Sequence, residues 1–220
     1  MSAKTAAFSD FVFHQPARGT GYRANVDALH LAAFAMAGRR AKVAFDLGAG
    51  AGAVGLTLIK NEAAGRVVLV EIDPEAAALA ARNLSESGWD DRGEVLEGDV
   101  TKLSFAHAGE ADLVTCNPPY TEPSRGRVPP EPRRARARSG SLAVFVEAAR
   151  RFAGRRARVC FVYPAPDLAT LIATFRGAGI EPKRLRAVHA RATSPARIVL
   201  VEGQAAKPGG LVVEPPLIET

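Results

Sequence analysis

The sequence predicts a doubly wound α/β domain on a mostly parallel, seven-stranded sheet, and three observations predict it. Short runs such as Arg66–Ile72 and Ala111–Cys116 are apolar almost throughout, the pattern of parallel strands covered on both faces. These runs alternate with segments whose apolar residues recur at helical spacing. The chain has 220 residues, enough for one core and little else, since single domains commonly run to about 250 residues.

Taken in order, Phe11–Phe13 and Gly19–Arg23 read as a short strand or hairpin after a polar start. Ala24–Ala37 carries Val26, Leu29, Leu31, Ala33 and Phe34 on helical spacing, with Asn25 as its cap and Gly38 as its stop. Lys42–Leu47 is the first central strand and runs into a glycine cluster, after which Ala53–Lys60 is helical. Arg66–Ile72 is a buried strand, and Pro74–Ser87 a helix entered through a first-turn proline. Glu94–Leu96 and Ala111–Cys116 are strands. Ser141–Phe152 and Pro166–Ala178 are helices around the strand Arg158–Tyr163. Arg184–His189 and Arg197–Glu202 complete the sheet, and Leu211–Val213 adds a last short strand. Thr121–Arg138, rich in proline and arginine, has no packing pattern and reads as a long surface loop, a kind that is usually functional or disordered.

Composition narrows the class. Apolar residues make up 47% and charged residues 24%, ordinary for a globular domain, and no apolar stretch approaches the roughly 20 residues of a membrane span. Met1–Asp10 shows no secretory pattern, so a cytoplasmic protein is expected. Cys116 and Cys160 fall inside strands and read as buried thiols, and His14, His30, His107 and His189 form no metal-ligand spacing, so no metal is expected. A net charge of +6, carried mostly by clustered arginines, favours a polyanionic partner.

Asp46-Leu47-Gly48-Ala49-Gly50-Ala51-Gly52 lies between the first central strand and its helix. Glycine is needed where the backbone turns sharply and a ligand must approach without a Cβ in the way. The following helix points amide groups into the same crevice. Glu71, at the end of the next strand, is placed to accept from both hydroxyls of a ribose, and Asp99, after the third strand, from the exocyclic amine of an adenine. Gly50, Gly52 and Gly55 also fit the dinucleotide spacing, so NAD is open on these residues, as is a glycine turn serving packing alone. The carboxylate of Asp46 favours S-adenosylmethionine, whose methionine end is cationic.

Asn117-Pro118-Pro119-Tyr120 directly follows the strand Ala111–Cys116. The amino nitrogen of an adenine is a poor nucleophile because its lone pair is delocalised into the ring. The Asn117 side-chain carbonyl and the Pro118 backbone carbonyl are suited to accept its two hydrogens, hold it pyramidal and aim the lone pair at a methyl donor. The prolines stiffen the turn, and Tyr120 offers a face on which a base stacks. An ordinary turn needs neither two prolines nor an aromatic.

On these residues the chain resembles the class I amino-methyltransferases with an Asn-Pro-Pro-Tyr motif, and most closely the bacterial tRNA(Val) adenine-N6-methyltransferase family. The resemblance covers nearly the whole chain: Gly21-Tyr22-Arg23 with Asp27–Ala33, Asp46–Gly52, Val70–Asp73, Arg82-Asn83, Gly98–Val100 and Asn117–Tyr120 follow in the family's order. It implies a Rossmann-like methyltransferase domain over 1–220, with 1–40 covering the cofactor, a core over 41–204, a basic substrate loop over 121–138 and an extension over 205–220. It implies S-adenosylmethionine as cofactor, held by Tyr22, Arg23, Asp46, Gly48, Ala49, Gly50, Gly52, Glu71, Ile72, Asp99, Val100 and Asn117. It further implies adenine N6 in tRNA as acceptor. The chain departs from the family at Ser139-Gly140, where His-Glu is common, and this bears on the acceptor rather than on catalysis.

Arg125, Arg127, Arg133, Arg134, Arg136 and Arg138 follow the Asn-Pro-Pro-Tyr turn, and five of them (Arg125, Arg133, Arg134, Arg136 and Arg138) are candidate phosphate contacts for an RNA, against the alternative of a solvated basic loop. The arginines of Arg150–Arg158 read instead as surface charge at a helix end, and Trp89 as a packing residue. Glutamine-N5 methylation of a protein is the alternative within the enzyme class, weakened because such enzymes carry a helical domain where only about forty residues precede Asp46. Guanine-N2 or DNA adenine methylation is also open. A NAD-dependent dehydrogenase leaves Asn117–Tyr120 without a task, and a non-catalytic binding module does not require Asn117.

Overall fold

A computed structural model describes residues 13–16, 26–103, 107–119 and 141–219. The helix α1 (Val26–Met36) precedes β1 (Ala41–Leu47), and α2 (Ala53–Lys60), β2 (Ala64–Glu71), α3 (Pro74–Glu86), β3 (Gly93–Glu97) and β4 (Ala111–Cys116) follow. After 141 come α4 (Leu142–Phe152), β5 (Ala153–Pro164), a 3-10 turn (Ala165–Asp167), α5 (Leu168–Gly177), β6 (Glu181–His189), β7 (Ala196–Gln204), β8 (Val212–Val213) and β9 (Leu217–Ile218).

The sheet has the order β3-β2-β1-β4-β5-β7-β6-β8, with β9 also on β6. The strands β3 to β5 are mutually parallel, and β7 alone runs antiparallel, between β5 and β6. The seven strands expected from the sequence form the sheet, and two two-residue strands extend it along the outer edge of β6. Successive side chains of β2 explain its apolar run: Val67 and Leu69 enter the core under α1 and α2, whereas Val68 and Val70 enter the core under α4 and α5. With both faces covered, the stretch Val67–Val70 leaves no position for a polar residue, and Arg66 and Glu71 fall towards the two ends of the strand.

The helix ends obey their local chemistry. Asp73 caps α3, accepting from the amides of Glu75 and Ala76, with Pro74 in the first turn. Ser141 caps α4 through the Val144 amide. Of the hairpin expected at Phe11–Phe13 and Gly19–Arg23, only Phe13 is described; it is in no strand and is 1% exposed in the core. Its neighbour His14 donates its amide to Asn83 Oδ1 at 2.7 Å, so side-chain pairing with α3, not strand pairing, holds this segment. Tyr22, Arg23 and the loop Thr121–Arg138 lie outside the described residues. Trp89 packs on the core as expected, and both cysteines are buried thiols held protonated, Cys116 above all by desolvation.

The reading of Arg150–Arg158 as surface charge requires correction. Arg158 lies in β5, buried, and donates to Ala35 O at 2.8 Å and Arg39 O at 2.7 Å beyond the last turn of α1. Glu202 on β7 accepts from Arg158 at 3.3 Å and from Arg184 at 2.6 Å, while Arg184 also donates to Phe34 O and stacks on the Phe34 ring. Arg151 likewise donates to the carbonyls of Val100 and Thr101. The orphan carbonyls ending α1, here brought against the strands, account for Arg158 and Arg184, and the turn after β3 supplies those that Arg151 meets. Among the described residues no helix is long and apolar enough to cross a membrane.

Replacing Glu202 by Ala leaves Arg158 buried without its carboxylate, and loss of one partner of a buried pair costs about 3–5 kcal/mol. Denaturant unfolding of Glu202→Ala should show a loss in that range; a loss below about 1 kcal/mol would mean that water or the α1 carbonyls alone satisfy the guanidinium.

Candidate functional site

The glycine loop leaves β1 at the carboxyl edge of the sheet and is tied down by its own backbone. The amides of Gly48 and Ala49 both donate to Val70 O, at 2.9 and 3.0 Å, and Gly52 N donates to Ala49 O at 2.9 Å. Gly48, Gly50 and Gly52 all have positive φ, at 68°, 57° and 87°. At Gly52 the reason for glycine is double, because a Cβ there would also sit 2.5 Å from Leu56 Cδ1 and 3.0 Å from Leu69 Cδ1. At Gly50 a Cβ would meet nothing within 4 Å, so the loop faces open space there.

That space is a small cleft, part of it open to solvent. Asp46, Gly48, Ala49, Gly50 and Asn117 line it together with Ala28 of α1. The cleft therefore joins the glycine motif to the first residue of Asn117–Tyr120, two sequence features about seventy residues apart.

Asp46 does more than face the cleft. Its Oδ1 accepts from the Thr115 hydroxyl at 2.8 Å and its Oδ2 from the Gly55 amide at 3.3 Å. One carboxylate thus binds the first turn of α2 and the neighbouring strand β4, in whose register Asp46 stands beside Thr115. One first-turn amide of α2, that of Gly55, is thus directed to Asp46. Burial dominates the charge state: desolvation pushes the Asp46 carboxyl up to about 7, with the Thr115 and Gly55 hydrogen bonds opposing the shift and nearby Glu71 adding to it.

Glu71 ends β2, buried, its Oε2 accepting from Gly50 N at 2.7 Å and its Oε1 from Asp73 N at 2.9 Å. Burial raises its pKa, and these backbone donors oppose the rise. Each oxygen keeps lone-pair capacity while the carboxylate is fixed in place. Next to it Ile72 stands 42% exposed, an apolar side chain left uncovered. Asp99 and Val100 follow β3 on the same edge but do not line the cleft. Thr101 donates twice to Asp99 and holds its carboxyl below the usual carboxylate range, whereas the Val100 side chain is buried in the core. Pro118 is buried behind Asn117, and Pro119 is half-buried. Tyr120, Arg125, Arg133, Arg134, Arg136 and Arg138 lie outside the described residues.

Two further residues support the site: Thr115, which carries no motif, and Asn83, which the sequence placed only in the family's Arg82-Asn83 pair with no role assigned. Thr115 acts only through the pairing of β1 with β4, a register that no local pattern encodes. Asn83 is fully buried and donates to Ala51 O at 2.9 Å and His14 O at 2.8 Å, joining the glycine loop to the N-terminal segment. A buried asparagine in a helix otherwise lined with alanine was the available signal, since such a group must find backbone partners.

The profile of the Methyltransferase small domain family matches residues 26–128. A tRNA1(Val) (adenine(37)-N6)-methyltransferase from Shewanella amazonensis is 36% identical over 136 residues, covering 61% of this chain and 57% of its own. A protein of the same name from Actinobacillus pleuropneumoniae is 27% identical over 186 residues, covering 84% of this chain and 73% of its own. The chain spans about half the length of several of these relatives, 49% for one from another Shewanella. Among solved structures, a "predicted O-methyltransferase" from Agrobacterium tumefaciens superposes with a TM-score of 0.67 at 26% identity, covering 86% of each chain. The geranyl diphosphate C-methyltransferase of Streptomyces coelicolor, solved with S-adenosyl-L-homocysteine, shares the fold with a TM-score of 0.59 at 14% identity, covering 81% of this chain and 77% of its own. The methyltransferase resemblance and the Rossmann-like fold expected from the sequence are both borne out.

The loop geometry separates two glycines that look alike in sequence. Gly50→Ala should cost about 1 kcal/mol, the strain of a left-handed alanine, whereas Gly52→Ala should cost about 2–3 kcal/mol because buried Leu56 and Leu69 must also move. Equal costs in urea unfolding would contradict the assigned packing.

Proposed function

We propose that the chain is an S-adenosylmethionine-dependent N-methyltransferase that acts on the exocyclic N6 of an adenine in tRNA. The observation that carries the reading is the convergence of Asn117 with Asp46 and the glycine loop on one cleft. The names of the relatives from Shewanella amazonensis and Actinobacillus pleuropneumoniae support the acceptor. A tRNA acceptor in turn supports a cytoplasmic location.

The donor set fits this cofactor. A buried carboxylate poised near pH 7 suits a cationic ligand, which would favour its ionised form. When bound, S-adenosylmethionine supplies a methyl group on a positively charged sulfur. Asp46 faces the cationic methionine end, and Gly48, Ala49, Gly50 and Gly52 leave the backbone bare beside it. Glu71, fixed by two amides, accepts from the ribose hydroxyls. Ile72 and Asp99 receive the adenine ring and its amine, Val100 contributes through its backbone, and Tyr22 and Arg23 cover the cofactor.

On the acceptor side, Asn117 and the Pro118 carbonyl accept the two hydrogens of the adenine amine, hold the nitrogen pyramidal and direct its lone pair into the cleft. Tyr120 stacks on the extruded base. No base with a tuned pKa is required, because the methylated nitrogen becomes acidic and loses its proton to water. Arg125, Arg133, Arg134, Arg136 and Arg138 meet the phosphates beyond the turn.

The direct test is incubation with methyl-labelled cofactor and total RNA, DNA or protein in parallel, followed by nucleoside and amino-acid analysis. Label in N6-methyladenosine of tRNA is the expected outcome, and label confined to glutamine or DNA would overturn the acceptor. Asn117→Ala should retain cofactor affinity and lose about a hundredfold in turnover, near 3 kcal/mol of transition-state stabilisation; turnover within threefold of the parent would reduce Asn117 to a turn residue.

The pH dependence has a definite sign. Below pH 7 Asp46 is mostly protonated and neutral, so a cationic ligand loses its partner; above pH 7 the carboxylate is ionised and binding is complete. Affinity for S-adenosylmethionine should therefore rise about tenfold between pH 6 and pH 8. In Asp46→Asn the profile should be flat over that interval, and a flat profile in the parent protein would remove Asp46 from ligand contact.

A further inference from the structure

The first turn of α1 contributes Ala28 to the wall of the cleft. Beside Ala28, Asp27 is only 2% exposed, and a buried carboxylate must be paired. Arg197, at the start of β7, meets it at 2.7 Å. The same guanidinium meets Glu219 Oε1 at 2.5 Å, and that oxygen is also 2.9 Å from His30 Nε2, three residues along α1 from Asp27. Glu219 is not a loose tail residue. It follows β9, which pairs with Val188 and His189 of β6, and its amide donates to His189 O at 2.8 Å. At the other end of α1, Arg158 of β5 and Arg184 of β6 hold the last carbonyls, so the helix is fastened at both ends to the half of the sheet formed by β5, β7 and β6.

We infer that Arg197 and Glu219 form a latch through which the C-terminal segment positions α1, and with it the cleft wall at Ala28, so that both are positioning residues for the cofactor. The extension after β7 is then part of the binding site's construction rather than an appendage. Neither residue touches the ligand. They act by removing the freedom of a helix end that would otherwise depend on one buried carboxylate, and the ordering is done before the ligand arrives. Because the latch lies on the cofactor side, its loss should appear in binding and not in the transfer step.

The inference rests on the proposed cofactor site, and S-adenosylhomocysteine binding separates the two. Calorimetry on the parent protein must show binding; none would overturn the cofactor reading and the latch with it. Given binding, Arg197→Ala should weaken affinity at least tenfold and Glu219→Ala at least threefold, while Arg197→Lys should restore affinity to within threefold. In turnover assays the loss should fall on KM for the cofactor, with kcat within twofold. The pair Arg176–Glu181, between α5 and β6, whose arginine is exposed and whose carboxylate is buried, supplies a control that loses an ion pair away from the cleft. Arg176→Ala should bind normally. Should Arg197→Ala fail to fold because Asp27 is left unpaired, Glu219→Ala, which leaves that pair intact, carries the test. Parent-like affinity in folded Glu219→Ala and Arg197→Ala, or a loss confined to kcat, would overturn the latch.

Discussion

Burial of a carboxylate is costly unless its oxygens are satisfied, and Asp46 meets that requirement by recruiting two other elements. Thr115 must stand opposite it on β4, which fixes the β1–β4 register, and Gly55 must offer its amide from the first turn of α2, which fixes where that helix starts. Between those two points the chain has only the glycine loop in which to turn, and its positive φ values follow. The β4 register in turn delivers Asn117 to the cleft, one residue beyond the strand end at Cys116. A charged group that weakens the empty fold is thus the group around which the cleft is built. Its poise near pH 7 makes it responsive to a cationic ligand in a way that an exposed aspartate is not.

The strands were legible because the sheet is covered on both faces, so residues such as Val67, Val68, Leu69 and Val70 all had to be apolar. The start of α3 was legible from Pro74 in its first turn, while the caps that Asp73 and Ser141 supply emerge only in the structure. What escaped was whatever depends on strand order. Arg158 looked like one of a run of surface arginines, and only the pairing of β5 with β7 and the seat of α1 across them explain its burial. The short strand expected at Leu211–Val213 is present as β8, whereas β9 carries little pattern of its own, since its pairing depends on the free edge of β6.

The site divides along the same line. Asp46, Gly50, Glu71 and Asn117 were legible as candidates because ligand chemistry restricts residue type at strand ends. Their internal bonds were not: that Gly50 donates to Glu71, or that Asn83 ties the loop to His14, depends on distances across 21 and 32 or more residues. Val100 illustrates the reverse, a position named from its motif whose side chain serves the core. The clustered arginines favour a polyanion on charge alone, and Arg158, Arg184 and Arg197 show that part of the basic excess is structural.

The account is tested most directly by a crystal structure with bound S-adenosylhomocysteine. It predicts the ribose hydroxyls on Glu71, the methionine end against Asp46 and the sulfur directed towards Asn117. A ligand seated elsewhere, or one whose sulfur is walled off from Asn117, would contradict the claim that the glycine-loop cleft is the methyl-donor site.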